Sequence, residues 1–226
     1  MAITRADAVQ SFLDLFEQPS YLEVGVFKGE TFIPLKAAHK VAVDPQFRFG
    51  FEALEADDVR FHQVPSDYYF GNIAERDERF DVIYLDGLHT FEQTLRDLNN
   101  AIARLKQPGV IIIDDILPSS YHAALPDRTI AEQVRKHMKD PSGRWMGDVY
   151  KLCFYVDTFL QNFSFATIQE NHGQLVLWEE GRSSVTERTM LEIAQLQFSD
   201  VVTQRSVFGI KPLGEVLDDV RSWLRR

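Results

Sequence analysis

Two apolar runs that each end in carboxylates constrain the fold of this chain more than any other feature. Residues 80–86 and 109–115 are largely apolar up to their last positions, which are Asp86 and the pair Asp114 and Asp115. A buried strand of a parallel sheet reads as such a run, and a terminal charge marks where it leaves the core. One helix separates the two runs, so the two strands are predicted to be parallel neighbours.

The three carboxylates are therefore expected at the carboxyl edge of the sheet, where ligands bind in open α/β folds. Clustered carboxylates repel one another unless a cation or a proton intervenes. The arrangement predicts a hard divalent metal ion held by Asp86, Asp114 and Asp115, with His89 within reach. The alternative is that Asp115 caps a turn and that only Asp86 and Asp114 face the cleft.

The order of the predicted elements is that of an α/β protein. Strands and helices alternate through most of residues 1–181, which predicts a mostly parallel sheet with helices on both faces. The turn residues Asn171, His172 and Gly173 separate the last two strands and predict an antiparallel hairpin at one sheet edge. Seven strands are predicted, at residues 21–26, 40–45, 59–64, 80–86, 110–113, 163–169 and 174–178.

The clearest predicted helix follows the fourth strand. An apolar stripe runs from Phe91 to Leu105, Thr90 is its predicted N-cap, and Gln93 has the capping-box spacing. Further helices are predicted at residues 4–18, 30–38, 51–56, 69–75, 129–139 and 148–160.

Two segments depart from this alternation. Residues 117–147 are rich in Pro, Ser, Gly and His, and a connection of this length is usually functional, so we expect a lid that contacts the substrate. Residues 182–226 are predicted to form a helical C-terminal extension. Within it, residues 213–224 read as an amphipathic helix, which either packs on the domain or pairs with another subunit in a homo-oligomer.

Composition argues against several classes of partner. The formal net charge is −10 and no Lys/Arg-rich block occurs, which argues against a nucleic-acid partner. No apolar stretch is long enough to span a bilayer, and the first residues lack the pattern of a signal peptide. The single Cys153 fits a reducing compartment. We therefore expect a cytoplasmic protein without a membrane partner.

A glycine-containing turn follows the first predicted strand. It reads Glu23-Val-Gly25-Val-Phe-Lys-Gly29, and Asp44 ends the next strand about 20 residues later, as in many nucleotide-binding folds. Glycines there allow a tight turn and a close approach to a ligand, and the helix predicted next would present backbone N–H groups. The spacing departs from G-x-G-x-x-G. Glu23 would repel a pyrophosphate but attract an ammonium or sulfonium group.

With these residues the chain resembles class I S-adenosylmethionine-dependent methyltransferases, and within them the metal-dependent branch that methylates oxygen atoms of small molecules and sugars. Residues 23–29 are similar to the E-x-G-x-x-x-G motif of that family, and Asp44 matches its acid after strand two. Pro65-Ser66-Asp67 lies where the family contacts adenine. Asp86-Gly-Leu-His89 and Asp114-Asp115 match the positions that hold Mg²⁺ and the base in metal-using members.

The resemblance implies a Rossmann-like fold, a methyltransferase domain at residues 1–181, and S-adenosylmethionine and Mg²⁺ as cofactors. The expected reaction is methyl transfer to a hydroxyl of a small polar molecule, with His89 and Asp86 as the catalytic residues. The implied cofactor-binding residues are Glu23, Gly25, Gly29, Asp44, Ser66, Asp67 and Asp86.

Several alternatives stay open from the sequence. His89 could be a structural histidine near a helix N-terminus, and a nitrogen acceptor would use the same positioning chemistry. Trp145 and Asp148 could contact substrate, but packing and helix capping are the simpler interpretations. The alternative functions are a nicotinamide-dependent oxidoreductase and a non-catalytic binding protein. Glu23 argues against the oxidoreductase. The presence of the carboxylates and of His89 argues against a protein without catalytic activity.

Overall fold

The computed structural model describes residues 3–141 and 144–226 and is built around one mixed sheet. The strands are β1 (Ser20–Val24), β2 (His39–Val43), β3 (Val59–His62), β4 (Phe80–Leu85), β5 (Leu105–Ile113), β6 (Ser164–Ile168), β7 (Gln174–Trp178) and β8 (Ile210–Lys211). Their order is β3-β2-β1-β4-β5-β7-β6-β8. The strands β1 to β5 are parallel, whereas β7 is antiparallel to both of its neighbours.

The prediction of a Rossmann-like α/β fold is confirmed, but the count of seven strands is wrong. The eighth strand, β8, pairs in parallel with β6, so the hairpin formed by β6 and β7 lies one strand inside the sheet edge. Two residues are too few to show a strand period in the sequence, which explains why β8 was not predicted.

Eight α-helices are assigned in the described ranges, and the longer ones cover both faces of the sheet. Their bounds are α1 (Arg5–Leu13), α2 (Ser66–Tyr68, continued by a π-helical turn over Tyr69–Ile73), α3 (Phe91–Ile102), α4 (Arg128–Met138), α5 (Lys151–Phe159), α6 (Met190–Gln195), α7 (Phe198–Thr203) and α8 (Leu213–Leu224). One face packs against α1 and α8, and the other packs against α3 and α5. None of the helices in these ranges is long and apolar enough to cross a membrane.

The helix predicted at residues 30–38 is wrong. Turns occupy residues 30–34, and no helix follows before β2. Pro34 explains the difference, because proline lacks a backbone N–H and disfavours the helical conformation of the residue before it. The buried Lys40 ammonium donates to the carbonyls of Phe32 and Leu35 at 3.1 and 2.9 Å, so it satisfies backbone oxygens that no helix pairs.

The start of α3 also differs from the prediction. Thr90 makes no side-chain hydrogen bond at the helix N-terminus. Instead the Phe91 N–H donates to Asp148 Oδ1 at 2.8 Å, and Asp148 Oδ2 accepts from Lys151 Nζ at 2.9 Å. A carboxylate 57 positions along the chain thus caps the helix. This role agrees with a capping function for Asp148, although on a different helix from the one expected.

The C-terminal segment is integrated into the fold. Its strand β8 extends the sheet, and α8 contacts both α1 and β6. The apolar side of α8 is buried within its own chain through Leu213, Val216, Leu217 and Val220.

Candidate active site

A cavity of about 740 Å³ lies at the carboxyl ends of β1, β2 and β4. Its size falls within the range of roughly 300–1,000 Å³ that is common for small-molecule sites. Of the predicted cofactor residues only Gly29 is outside its lining; those that line the cavity are Glu23, Gly25, Asp44, Ser66, Asp67 and Asp86. The structure therefore brings most of the predicted set into one space.

The turn after β1 has an unusual backbone that Asp44 supports. Gly25, Phe27 and Gly29 have φ values of +89°, +48° and +74°, a left-handed region that a side chain disfavours. A Cβ on Gly25 would lie 2.0 Å from the Asp86 carbonyl oxygen, so only glycine fits there. Asp44 Oδ2 accepts from the Phe27 N–H at 2.8 Å, and Oδ1 accepts from the Gln46 N–H at 2.7 Å.

Glu23 is a buried carboxyl group in the wall of the cavity. Its Oε2 accepts a hydrogen bond of 2.6 Å from the Tyr21 hydroxyl. Burial raises the pKa of Glu23 to about 8, although the Tyr21 hydrogen bond and the charge of Lys40 both act to lower it. A carboxyl group in this position favours a cationic ligand group, because such a group would stabilise its ionised form.

The side chain of Gln93 in α3 contacts the residues that follow β3. Gln93 Nε2 donates toward Ser66 Oγ, Asp67 Oδ1 and Asp97 Oδ1 at 3.3, 3.2 and 3.2 Å. Sequence reasoning missed Asp97, which is buried and lines the cavity, and whose pKa is raised by burial. The available signal was a carboxylate on the apolar face of an amphipathic helix.

His89 is held between two of the predicted carboxylates. Its Nδ1 lies 2.8 Å from Asp115 Oδ2, and its Nε2 lies 3.4 Å from Asp86 Oδ1. The Trp145 indole stacks on the imidazole, with ring centroids 5.3 Å apart and planes inclined by 18°. Trp145 Nε1 in turn donates to the Leu125 carbonyl at 2.6 Å. The position and ring plane of His89 are thus fixed from three sides.

Arg5, at the start of α1, completes the carboxylate cluster and was not singled out by sequence reasoning. Its Nε lies 2.6 Å from Asp114 Oδ2, its Nη2 3.4 Å from Asp115 Oδ1, and its Nη1 3.9 Å from Asp86 Oδ2. The only sequence signal is a cation in the first turn of a helix, where the helix dipole disfavours it unless acids compensate.

The charges of the cluster act on one another. Burial raises the pKa of Asp114 to about 7, and the charge of Asp115 adds to that shift, while the charge of Arg5 opposes it. Burial and the neighbouring acids also raise the pKa of Asp86. Burial would lower the pKa of Arg5, but the three carboxylates raise it above its ordinary value.

The carboxylates predicted to bind a metal do not form one ligand set. Within the described ranges, the group of acids and histidine whose ligand atoms come within 4.8 Å of one another is Asp86, His89 and Asp115. Asp114 is outside that group and contacts the Arg5 guanidinium instead. The predicted set of three acids is therefore divided: Asp86 and Asp115 lie with His89 in a group that could hold a metal ion, whereas Asp114 pairs with Arg5. Asp115 has a φ of +59°, a strained value that directs its carboxylate toward both His89 and Arg5.

The segment predicted to be a lid contributes part of the cavity wall. Cationic or titratable side chains predominate among its lining residues, which are His122, Arg128, Glu132, Arg135, Arg144 and Trp145, together with Ala131. Residues 142 and 143 of the predicted lid lie outside the described residues.

Comparison with known proteins supports one class of domain. Residues 22–116 match a family described as a methyltransferase domain. No curated protein matches the chain in sequence.

Solved structures share the fold at low sequence identity. A protein assigned as a caffeoyl-CoA O-methyltransferase from Staphylococcus aureus is 13% identical with a TM-score of 0.54, over 77% of this chain and 82% of that one. An O-methyltransferase from Bacillus cereus, in complex with SAH, is 17% identical with a TM-score of 0.52, over 80% and 84%. The O-methyltransferase TomG from Streptomyces achromogenes, in complex with SAM, is 14% identical with a TM-score of 0.50, over 77% and 79%.

Proposed function

We propose that this chain is an S-adenosylmethionine-dependent methyltransferase that transfers a methyl group to a hydroxyl of a small polar molecule; the methyltransferase-domain match over residues 22–116 and the fold shared with the solved structures support this proposal. The observation that carries this proposal is the placement of His89. Its imidazole lines the same cavity as Glu23 and the turn after β1, and two carboxylates hold it there.

The cofactor is proposed to bind along the wall that Glu23, Gly25 and Asp44 provide. The carboxyl group of Glu23 suits the positively charged methionine end of S-adenosylmethionine. Asp44 keeps the turn in the conformation that lets the backbone approach the ligand. Ser66, Asp67 and Gln93 supply hydrogen-bonding groups for the adenosine end, as the resemblance implies.

His89 is proposed to take the proton of the acceptor hydroxyl. In this proposal Nε2 accepts the proton, and the Asp115 carboxylate 2.8 Å from Nδ1 helps to stabilise the charge that the ring then carries. Asp86, next to Nε2, then stabilises the imidazolium that forms. The acceptor oxygen attacks the methyl carbon as the bond from that carbon to sulfur breaks, so the sulfonium charge is neutralised while His89 becomes charged.

The predicted magnesium ion is not part of this proposal. One of its three expected ligands, Asp114, faces an arginine, and Arg5 also faces Asp86 and Asp115 in the remaining group. In this proposal, positioning of the two reactants and proton removal supply the catalysis.

The acceptor side of the cavity supports a small polar substrate. Arg128, Arg135 and Arg144 line it from the segment proposed to act as a lid, opposite the acids at the strand ends. Arginine recognises carboxylate and phosphate groups through paired donors. An acceptor that carries an anionic group in addition to its hydroxyl fits this wall best.

Calorimetric titration with S-adenosylmethionine and, separately, with a nicotinamide dinucleotide tests the proposal. We expect binding of the first ligand and none of the second. Labelled-methyl transfer is then measured against hydroxyl compounds with and without a carboxylate or phosphate, with amine analogues as controls. Binding of the dinucleotide alone would overturn the proposal, and methylation of amines alone would overturn the hydroxyl acceptor.

A further inference from the structure

Arg5 directs each of its three guanidinium nitrogens at a different carboxylate. Nε, Nη2 and Nη1 face Asp114, Asp115 and Asp86, at 2.6, 3.4 and 3.9 Å. The Asp114 side chain is fully buried and that of Asp115 is 6% exposed, whereas the Arg5 side chain is 32% exposed. A single arginine thus spans a cluster of largely buried carboxylates whose charges would otherwise repel one another.

The fold holds Arg5 in this position through α1. The helix is anchored on the sheet by Ala8, Val9, Phe12 and Leu13, which are all buried. Its N-terminus is closed by a reciprocal capping box between Thr4 and Asp7. A positive charge in the first turn opposes the helix dipole, and the carboxylates that the guanidinium faces compensate for it.

We propose that Arg5 is the resident cation of the carboxylate cluster, and that methyl transfer by this chain requires no divalent metal ion. The inference rests on the proposed function, since it concerns the charge balance of that same site. Arg5 acts as a positioning residue. It neutralises part of the cluster and holds Asp115 and Asp86, which in turn hold His89.

A metal ion would have to compete with this contact. Mg²⁺ takes oxygen ligands at about 2.0–2.1 Å in near-octahedral geometry. To gain Asp114 and Asp115 as ligands, the ion would have to displace the guanidinium or lie beside it with like charge. Arginine does not relieve that repulsion by losing a proton, because its guanidinium stays charged in proteins.

Titration with Mn²⁺, followed by electron paramagnetic resonance, tests this inference without a methylation assay. Wild-type protein is expected to take up no stoichiometric Mn²⁺ in the micromolar range. Arg5→Ala removes the competing charge, and we expect at least about a tenfold tighter Mn²⁺ affinity, equivalent to about 1.4 kcal/mol. Arg221→Ala is the matched control, since it removes an arginine that pairs with a single exposed aspartate, Asp218. It is expected to bind Mn²⁺ as the wild type does.

Two results would overturn the inference. One is stoichiometric, micromolar Mn²⁺ binding by the wild type that Asp115→Asn abolishes. The other is a folded Arg5→Ala protein that gains no affinity for Mn²⁺. If Arg5→Ala does not fold, Arg5→Met keeps a long apolar stem and gives the same comparison. Failure of the proposed function is separate, because it appears as absent S-adenosylmethionine binding whatever the metal titration shows.

Discussion

The carbonyl oxygen of His89 lies directly against Gly147. A Cβ on residue 147 would come within 1.6 Å of that oxygen, and the φ of Gly147 is +66°. Gly147, at the end of the predicted lid, thus packs against the backbone of His89, the proposed base.

Gly147→Ala is expected to destabilise the chain and to displace His89. The left-handed backbone alone should lower the free energy of unfolding by about 1–3 kcal/mol, and the clash with the His89 backbone should lower it further. Urea unfolding measures the loss. Gly214→Ala is the matched control: it lies within α8 with open space around its Cβ position, so stability should stay equal or rise by about 0.5–1 kcal/mol. Equal stability for both variants would contradict the packing described here.

His89→Ala is expected to lower turnover by about 10²- to 10⁴-fold, because it removes the proposed proton acceptor. The affinity for S-adenosylmethionine, measured by calorimetry, should change little. His137→Ala, at an exposed position of α4, serves as the control and should leave turnover at the wild-type level. A normal turnover in His89→Ala would remove this residue as the base.

Glu23 is expected to make stability fall with rising pH. Its pKa is about 8 in the folded chain against an ordinary value of 4.5, so the folded state binds more protons between these pH values. The free energy of unfolding should therefore decline as pH rises from about 4.5 to 8, by at most about 1.4 kcal/mol per pH unit.

Glu23→Gln should flatten this dependence, because the amide does not titrate. Chemical unfolding of both proteins at pH 5.5 and pH 8 isolates the contribution of Glu23 from that of Asp114, whose pKa is also raised and which titrates in both proteins. Parallel pH profiles for the two proteins would show that Glu23 is already ionised in the folded chain.

Asp148→Ala should destabilise α3 by about 1–2 kcal/mol, because the Phe91 N–H loses its acceptor. Asp148→Asn retains an oxygen acceptor and should recover part of the loss. Asp127→Ala, which removes the exposed local cap of α4, gives the reference for an ordinary N-cap. Thermal unfolding compares the three. If Asp148→Ala lowered stability less than Asp127→Ala, the cap that Asp148 provides for α3 would stabilise the chain no more than an ordinary local N-cap does.

The sequence predicted those elements that local pattern specifies. Strands such as β4 follow from the sequence because they are buried, largely apolar runs that end in a polar residue, here Asp86. The helix predicted at 30–38 is wrong because Pro34, which lacks a backbone N–H, lies in the middle of that segment.

The candidate site was predicted where its residues follow strands, and missed where they arrive from distant elements. Asp86, His89 and Asp115 converge because neighbouring parallel strands end at one edge. Arg5 reaches Asp115 across 110 positions and Asp148 reaches Phe91 across 57 positions. Contacts of that separation depend on how helices dock, which neither periodicity nor motif spacing encodes.

The contact between α1 and α8 links the helix that carries Arg5 to the last helix of the described chain. Since α8 packs beside α1 on the same face of the sheet, the support beneath Arg5 is incomplete until residue 224 has been synthesised. On the ribosome, the acids after β4 and β5 would emerge long before their guanidinium partner could be locked in place. The charge arrangement around Arg5 should therefore be completed only once α8 has docked against α1.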